Sequence, residues 1–403
     1  MVYYLNFVST PKISFDPKEF NQEWHVQAKI SITSDLQEEL YPRPQDIYID
    51  LITDEYTLSQ TSQYDTSLCQ GRHVSWDKDN RVLKIDSRYR ASKEIQGHTN
   101  LQFGRPLTHF RMEVTMIPFP KPVLSPSTLP LIVGARSGEL KLQGPSTPSK
   151  LDKPFTVEAT REVQRVFSLY NGTRLYVNEA MGQTGLSGHV WDASLGLVAY
   201  LNDWLEYNDT IANVHADSKK FDIPILHEIL LISYRRKLKI IELGTGCGLV
   251  GILLAQLISH CDVAITDQDN ELAQINIKYA TPAKSSTVTF ETLRWEEELP
   301  ASLVGKRFDL VIISDCTYNT DSFPALVGTI SRLAEQEPDI KVIIATKVRN
   351  EEEKIFFPMM KKAGFKKGGL THEIPIPGIY VGKGQSPSKR QIDVHSFIKA
   401  KRI

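Results

Sequence analysis

Apolar and polar residues alternate in several stretches of the first third of the chain. Val26, Ala28, Ile30 and Ile32 share one side of residues 25–32, and Ile47, Ile49 and Leu51 share one side of 46–51. Phe110, Met112, Val114 and Met116 do the same in 110–116. A period of two puts every second side chain on one face of an extended backbone, so these stretches predict half-buried β-strands. Proline- and serine-rich connections separate them, most clearly 118–130 and 144–150 (GPSTPSK). The latter marks the expected boundary between a β-rich accessory domain over 1–150 and a second domain over 151–403. No repeat or chemical motif occurs in 1–150.

From about Leu151 the pattern changes. Residues 165–169 and 173–177 read as paired strands around Asn171-Gly172, a dipeptide suited to a tight hairpin turn. Leu197, Val198, Leu201, Trp204 and Leu205 then recur at helical spacing. Strands at 239–243 and 263–266 alternate with helices at 249–258 and 271–279, the second opened by Asp269 or Asn270 as a cap. Residues 308–314 and 341–345 are continuous apolar runs, the pattern of central parallel strands buried on both faces. This alternation predicts a doubly wound α/β sheet. Pro358 interrupts the helical pattern of 351–363, which predicts a fresh start or a kink there.

The most informative segment is Ile241-Glu242-Leu243-Gly244-Thr245-Gly246-Cys247-Gly248-Leu249-Val250-Gly251, where a buried strand meets a glycine-rich turn and a helix. Glycines let the backbone approach a ligand closely, and the helix N-terminus offers free N–H groups. The segment therefore predicts a nucleotide-type pocket at the carboxyl edge of a parallel sheet. Gly246-x-Gly248-x-x-Gly251 formally matches the dinucleotide fingerprint, but its first glycine does not directly follow the strand, and counting from Gly244 puts Leu249 where the third glycine belongs. Glu242, two residues before the first glycine, suits a cationic or amine-bearing ligand better than a diphosphate. S-adenosylmethionine, a sulfonium without phosphate, fits better than a nicotinamide dinucleotide. Asp267, at the end of the second strand, is placed to take ribose hydroxyls with either cofactor.

Composition narrows the classes further. The chain has 403 residues with 47 basic and 48 acidic side chains, a net charge of -1, which argues against a general binder of nucleic acid or anionic membrane. Cys69, Cys247, Cys261 and Cys316 are scattered without CxxC spacing, against a zinc ribbon or a disulfide framework. No HExxH or EF-hand spacing occurs, so no metal is expected. The opening Met-Val-Tyr-Tyr-Leu-Asn-Phe lacks the order of a secretory signal, and the longest apolar run, 249–258, is too short to span a membrane. A monomer in the cytoplasm or nucleus is expected.

The glycine turn resembles motif I of the class I, seven-stranded Rossmann-like S-adenosylmethionine-dependent methyltransferases. More narrowly, the chain resembles the family 16 protein-lysine methyltransferases, which include the methyltransferase-like 21 group and fungal elongation-factor enzymes. Four further segments carry this likeness in the family's order: Gly188-His189-Val190-Trp191-Asp192-Ala193, Leu293-Arg294-Trp295, Asp315-Cys316-Thr317-Tyr318, and Lys347-Val348-Arg349 with 351–365. It covers roughly residue 165 to the C-terminus. The resemblance implies a cofactor pocket built from Trp191, Gly244, Thr245, Gly246, Asp267, Trp295 and Ser314, beside Glu242. It also implies an acceptor channel lined by Asp315 and Tyr318. A carboxylate beside an amine favours the ammonium, so Asp315 is expected to capture and orient the lysine, with Tyr318 as hydrogen-bond partner and channel wall. A general-base role for Asp315 is the weaker reading, and a loop cap with Tyr318 as packing is the structural alternative. Cys316 and Thr317 stand where enzymes acting on planar nitrogens carry two prolines.

The resulting expectation is a protein-lysine N-methyltransferase acting on a protein partner, with a translation elongation factor as first candidate. The alternatives are a methyltransferase for a small molecule or a non-lysine protein nitrogen, and a non-catalytic interaction protein on the same fold.

Overall fold

The computed structural model describes residues 2–15, 23–34, 40–53, 66–67, 72–76, 81–90, 106–116, 123–129, 132–138, 140–143, 155–180, 186–211, 223–268, 270–376 and 391–400. Its N-terminal part contains β1 (Tyr3–Phe15), β2 (Glu23–Ser34), β3 (Gln45–Thr53), β4 (Thr66–Ser67), β5 (Arg72–Trp76), β6 (Leu83–Arg90) and β7 (Pro106–Met116). β8 (Ile132–Val133), β9 (Ala135–Ser137), β10 (Leu140–Gln143), β11 (Phe155–Glu158), β12 (Glu162–Ser168) and β13 (Arg174–Ala180) follow. One sheet has the order β11-β1-β2-β6 with β8 beside β1, and the other runs β13-β12-β9-β7-β3-β4 with β10 and β5 attached. Leu5, Ile13, Val26, Ile30, Ile32, Ile47, Ile49, Trp76 and Met112 fill the space between them. The alternation read from 25–32 is therefore the inner face of a β-sandwich. The side chains of Leu51, Phe110, Val114 and Met116 lie outside the described residues.

The expected boundary at 144–150 also lies outside the described residues. Pairing nevertheless continues past it, because β11 joins β1, and β12 joins both β9 and β13. The sandwich thus extends to Ala180 rather than ending at 150. A polar connection marks a loop, but it does not reveal that the next hairpin returns to the same sheets.

The second part is a sheet of β14 (Leu238–Leu243), β15 (Cys261–Asp267), β16 (Thr287–Thr292), β17 (Leu310–Ser314), β18 (Lys341–Thr346), β19 (Phe365–Lys367), β20 (His372–Pro375) and β21 (Gln391–Lys399). The order is β16-β15-β14-β17-β18-β21-β19, with β14–β18 parallel and β21 antiparallel to β18. β19 and β20 pair with opposite ends of β21, so they act as one interrupted edge strand. This is the α/β Rossmann-like fold expected. Helices α1 (Asp192–Ile211), α2 (Pro224–Arg235), α3 (Leu249–Leu257) and α4 (Glu271–Ile277) contribute to the core on one face, with Ile240, Ile265 and Ile312. α5 (Phe323–Gln336) and α6 (Phe356–Lys362) cover the other face, with Ile241, Val311 and Ile344. Neighbouring strand residues thus serve opposite cores, which is why apolar residues stand next to one another in these strands instead of alternating with polar ones. Asn270 caps α4 by accepting from the Ala273 N–H, while Asp269 lies outside the described residues. A 3-10 turn over Glu351–Ile355 precedes α6, so Pro358 sits in the first turn of a new helix, where its missing N–H costs nothing. Among the described residues no helix is long and apolar enough to cross a membrane.

The two parts share a core. On β1, Tyr3, Leu5 and Phe7 face the sandwich interior, while Val2 and Tyr4 join the core that holds α1 and α3. Leu124, Leu129, Val133, Phe167, Leu175 and Val177 add to the same seam against Leu197, Trp204 and Leu253. Burying one such side chain is worth about 1.5–3 kcal/mol, so the seam couples the parts strongly. A chain starting at Leu151 would lose Val2, Tyr4, Leu124, Leu129 and Val133 from this core and is expected to aggregate. The full chain should melt in one calorimetric transition, and two resolved transitions would contradict the shared core.

Candidate functional site

After β14 the chain passes through Gly244, Gly246 and Gly248 with φ of +67°, +53° and +82°. At Gly244 a Cβ would lie 2.5 Å from Cys316 Sγ and 2.9 Å from the Trp295 ring, so only glycine fits. The turn is laced to the end of β15. The Thr245 N–H donates to the Thr266 carbonyl (2.9 Å), the Gly246 N–H to the Asp267 carboxylate (2.8 Å), and the Asn270 amide to the Gly246 carbonyl (2.7 Å). Parallel strands bring all their carboxyl ends to one edge, and the order reverses between β14 and β17, which opens a crevice there.

That crevice is a cleft of about 520 Å³. It is lined by Trp191, Gly244, Thr245, Gly246, Asp267, Trp295, Ser314, Asp315 and Tyr318, so the structure brings these sequence-predicted residues together. Trp191 leads into α1, Trp295 follows β16, and Ser314 ends β17, where its hydroxyl bonds that of Ser194 at 2.9 Å. Asp267 has no cation at ion-pair distance among the described residues, and its second oxygen accepts from the Gln268 N–H (2.8 Å).

Glu242 is placed differently. It is buried beneath the turn, where one carboxylate oxygen accepts from the Thr245 hydroxyl (2.5 Å) and the Gly251 N–H (2.9 Å). It clamps the turn to α3 and does not line the cleft. The other oxygen has no hydrogen-bond partner among the described residues. Burial pushes its pKa up to about 7, against the pull of the two donors.

Asp315 follows β17 with φ +56°, a left-handed conformation that aspartate tolerates better than most residues. Its carboxylate is engaged by both terminal nitrogens of Arg349 (2.6 and 2.9 Å) and by the Ala193 N–H at the start of α1 (3.3 Å). The Arg349 guanidinium also lies 5.6 Å from the centre of the Trp191 ring. Beside this pair, Lys347 bonds one oxygen of buried Asp192 (2.6 Å), and the Tyr4 hydroxyl bonds the other (2.9 Å). Tyr318 stands on the rim, 48% exposed. Its packed side raises the phenol pKa, so it stays a hydroxyl donor. Burial likewise pushes the Cys247 and Cys316 thiols up, so neither is a thiolate nucleophile.

Sequence reasoning gave no role to Arg349, Lys347 or Tyr4. The first two lie in a segment already matched to the family. Nothing in the sequence places Tyr4 beside Asp192, 188 positions away.

A family model described as lysine methyltransferase matches residues 170–363. A UPF0665 family protein of Schizosaccharomyces pombe is 24% identical over 343 residues, which is 83% of this chain and 86% of that protein. The aligned length exceeds everything after Ala180, so that likeness reaches into the sandwich. EEF1A lysine methyltransferase 3 of Xenopus tropicalis is 27% identical over 52% of this chain and 79% of its own length. Protein N-lysine methyltransferase METTL21A of Xenopus tropicalis is 28% identical over 44% of this chain and 69% of its own length.

The raised pKa of Glu242 has a signed consequence. Its folded value of about 7 lies above the unfolded carboxyl value, so its contribution is best below that value and is lost as pH rises toward about 7. Glu242→Gln, neutral throughout, should therefore gain stability over the parent across this window, by on the order of 1–3 kcal/mol at its upper end. Urea denaturation of both proteins at several pH values checks this, and a difference independent of pH would refute it.

Proposed function

We infer that this chain, whose residues 170–363 belong to the lysine methyltransferase family, is an S-adenosylmethionine-dependent protein-lysine N-methyltransferase. The observation that carries the reading is the convergence of the bare glycine turn, Asp267 and the Asp315–Tyr318 segment around one cleft beside Trp191. The cleft fits the cofactor. Backbone without Cβ at Gly244 leaves room for close approach, and the Trp191 and Trp295 rings offer faces for a purine. Asp267 keeps lone pairs for ribose hydroxyls, and Thr245, Gly246 and Ser314 complete the holding set. Glu242 supports that set from below. When bound, S-adenosylmethionine supplies an electrophilic methyl carbon on a sulfonium with a neutral thioether as leaving group.

The chain's own residues do the rest by positioning. Asp315 accepts a hydrogen bond from the acceptor amine and orients it, and Tyr318 walls the approach from the rim. Alignment and exclusion of water account for about 7–11 kcal/mol in well-oriented reactions, without an added acid or base. The half-exposed rim suits a side chain arriving on a protein surface better than an enclosed small molecule. Elongation factor 1A is the first candidate acceptor, because a relative spanning about half this chain bears that name. Buried free thiols at Cys247, Cys261 and Cys316 favour a cytoplasmic or nuclear setting.

The test incubates the full chain with labelled S-adenosylmethionine and lysate from cells lacking it, then maps the labelled protein by mass spectrometry. A labelled lysine is expected. Asp315→Asn, which keeps an oxygen for Arg349, should cut transfer by about 10-fold or more while cofactor affinity stays within about 3-fold. Unchanged transfer in that variant would remove Asp315 from the acceptor site.

A further inference from the structure

A lysine acceptor poses an electrostatic problem at Asp315. Free lysine has a pKa of about 10.4, and its lone pair must be unprotonated to attack carbon. A bare carboxylate beside it would stabilise the ammonium and hold it unreactive.

We propose that Arg349 is a positioning residue that solves this problem: its guanidinium neutralises Asp315, so the acceptor amine meets a hydrogen-bond acceptor without a bare negative charge. This rests on the lysine methyltransferase reading above. Two parallel N–H donors meet the two carboxylate oxygens at 2.6 and 2.9 Å, the planar fork that arginine forms and lysine cannot. The guanidinium stays protonated at any working pH, so the pair is neutral throughout. Oδ2 also accepts the Ala193 N–H, whereas Oδ1 takes one Arg349 donor and keeps a lone pair for an incoming N–H.

The same guanidinium lies over Trp191, so one side chain fixes both the acid and an adjoining wall of the cleft. Arg349 is itself held in place. Its backbone N–H donates to Glu353 (3.1 Å), and one terminal nitrogen reaches the Lys347 carbonyl (3.2 Å). Among the described residues, the ionisable groups near the pair include Lys347 and Asp192, bonded to each other with Tyr4 on Asp192, and His189 against the Trp191 ring. They also include Glu353 below the loop, Cys316 and Tyr318 after β17, and Asp267, Arg294 and Glu296 in the cleft lining. Lys347, a second cation on the same segment, is engaged by Asp192.

The test follows methyl transfer from labelled S-adenosylmethionine to the acceptor protein found in the lysate, from about pH 6 to about pH 10. In Arg349→Met the rising limb of kcat should move alkaline by about one unit, giving a roughly 10-fold loss near neutrality that is recovered at high pH. KM for the acceptor should fall, because the freed carboxylate binds the ammonium. Adding Asp315→Asn to Arg349→Met removes the exposed charge and should move the limb back toward wild type. Arg349→Lys keeps the charge and should keep the limb in place, with kcat lowered by loss of the fork. Binding of labelled cofactor to each variant checks that it is folded. An equal loss at every pH in Arg349→Met, or a double variant whose limb stays alkaline, overturns the proposal while leaving the enzyme a lysine methyltransferase. A wild-type chain that labels no lysine sinks the functional reading itself, and the role of Arg349 with it.

Discussion

The structure depends on one buried ion pair, Arg165 with Glu179, carried on adjacent strands β12 and β13. The guanidinium is fully buried and bonds Glu179 at 2.7–2.8 Å. It also donates to the Leu5 carbonyl (2.5 Å), the Gly134 carbonyl (3.0 Å) and the Asn6 side chain (2.8 Å). The second oxygen of Glu179 accepts from the Val190 N–H (2.8 Å), one residue before Trp191. A single pair thus ties together β1, the turn between β8 and β9, the hairpin and the lead into the cofactor cleft. Burial alone would push the Glu179 carboxyl up, yet the Arg165 charge, with His189 and the Val190 N–H, draws it down to about 2. The pair therefore remains ionised, and its contribution fades only as pH falls from the ordinary carboxyl range toward 2. Removing either partner would strand a buried charge, at a cost of about 3–5 kcal/mol.

Two other bridges repeat this logic. Tyr4 reaches Asp192, and Asn276 of α4 exchanges hydrogen bonds with Asn178 of β13 while also donating to the Cys247 carbonyl in the glycine turn. The Asn276 amide uses both of its donors and both of its lone pairs, so it permits one register between hairpin and turn. The sandwich consequently buttresses the cleft, where the sequence suggested a β-rich accessory domain over 1–150.

What was legible followed from local periodicity. The β14, β17 and β18 strands hold adjacent apolar residues (Ile240-Ile241, Leu310 to Ile313, Val342 to Ala345) because both faces of the sheet are covered, and the glycine turn follows directly from its residues. The convergence of Trp191, Asp267, Trp295 and Asp315 was readable because parallel strands deliver their ends to one edge. The amphipathic stripe of α5, with Leu326, Val327, Ile330 and Leu333 buried, was present in the sequence and went unclaimed. Orientation was the harder part. Glu242 looked like a ligand-facing acid, but it lies in a strand covered on both sides, where strand alternation turns it toward α3 and the Gly251 N–H. The clamp on Asp315 was hidden for another reason, since Arg349 reaches it from 34 positions away, across a strand and a helix.

These contacts divide the acids around the cleft by how their charge is managed. Glu179 is matched by Arg165, Asp192 by Lys347, and Asp315 by Arg349, while burial favours a proton on Glu242. Asp267 remains at the end of β15, facing the cleft, with backbone N–H groups on its oxygens and no cation at ion-pair distance among the described residues. The cleft therefore presents the Asp267 carboxylate on the side of the glycine turn and a neutral pair on the side of Asp315. A cationic sulfonium donor is favoured by the first environment, and an uncharged amine acceptor by the second.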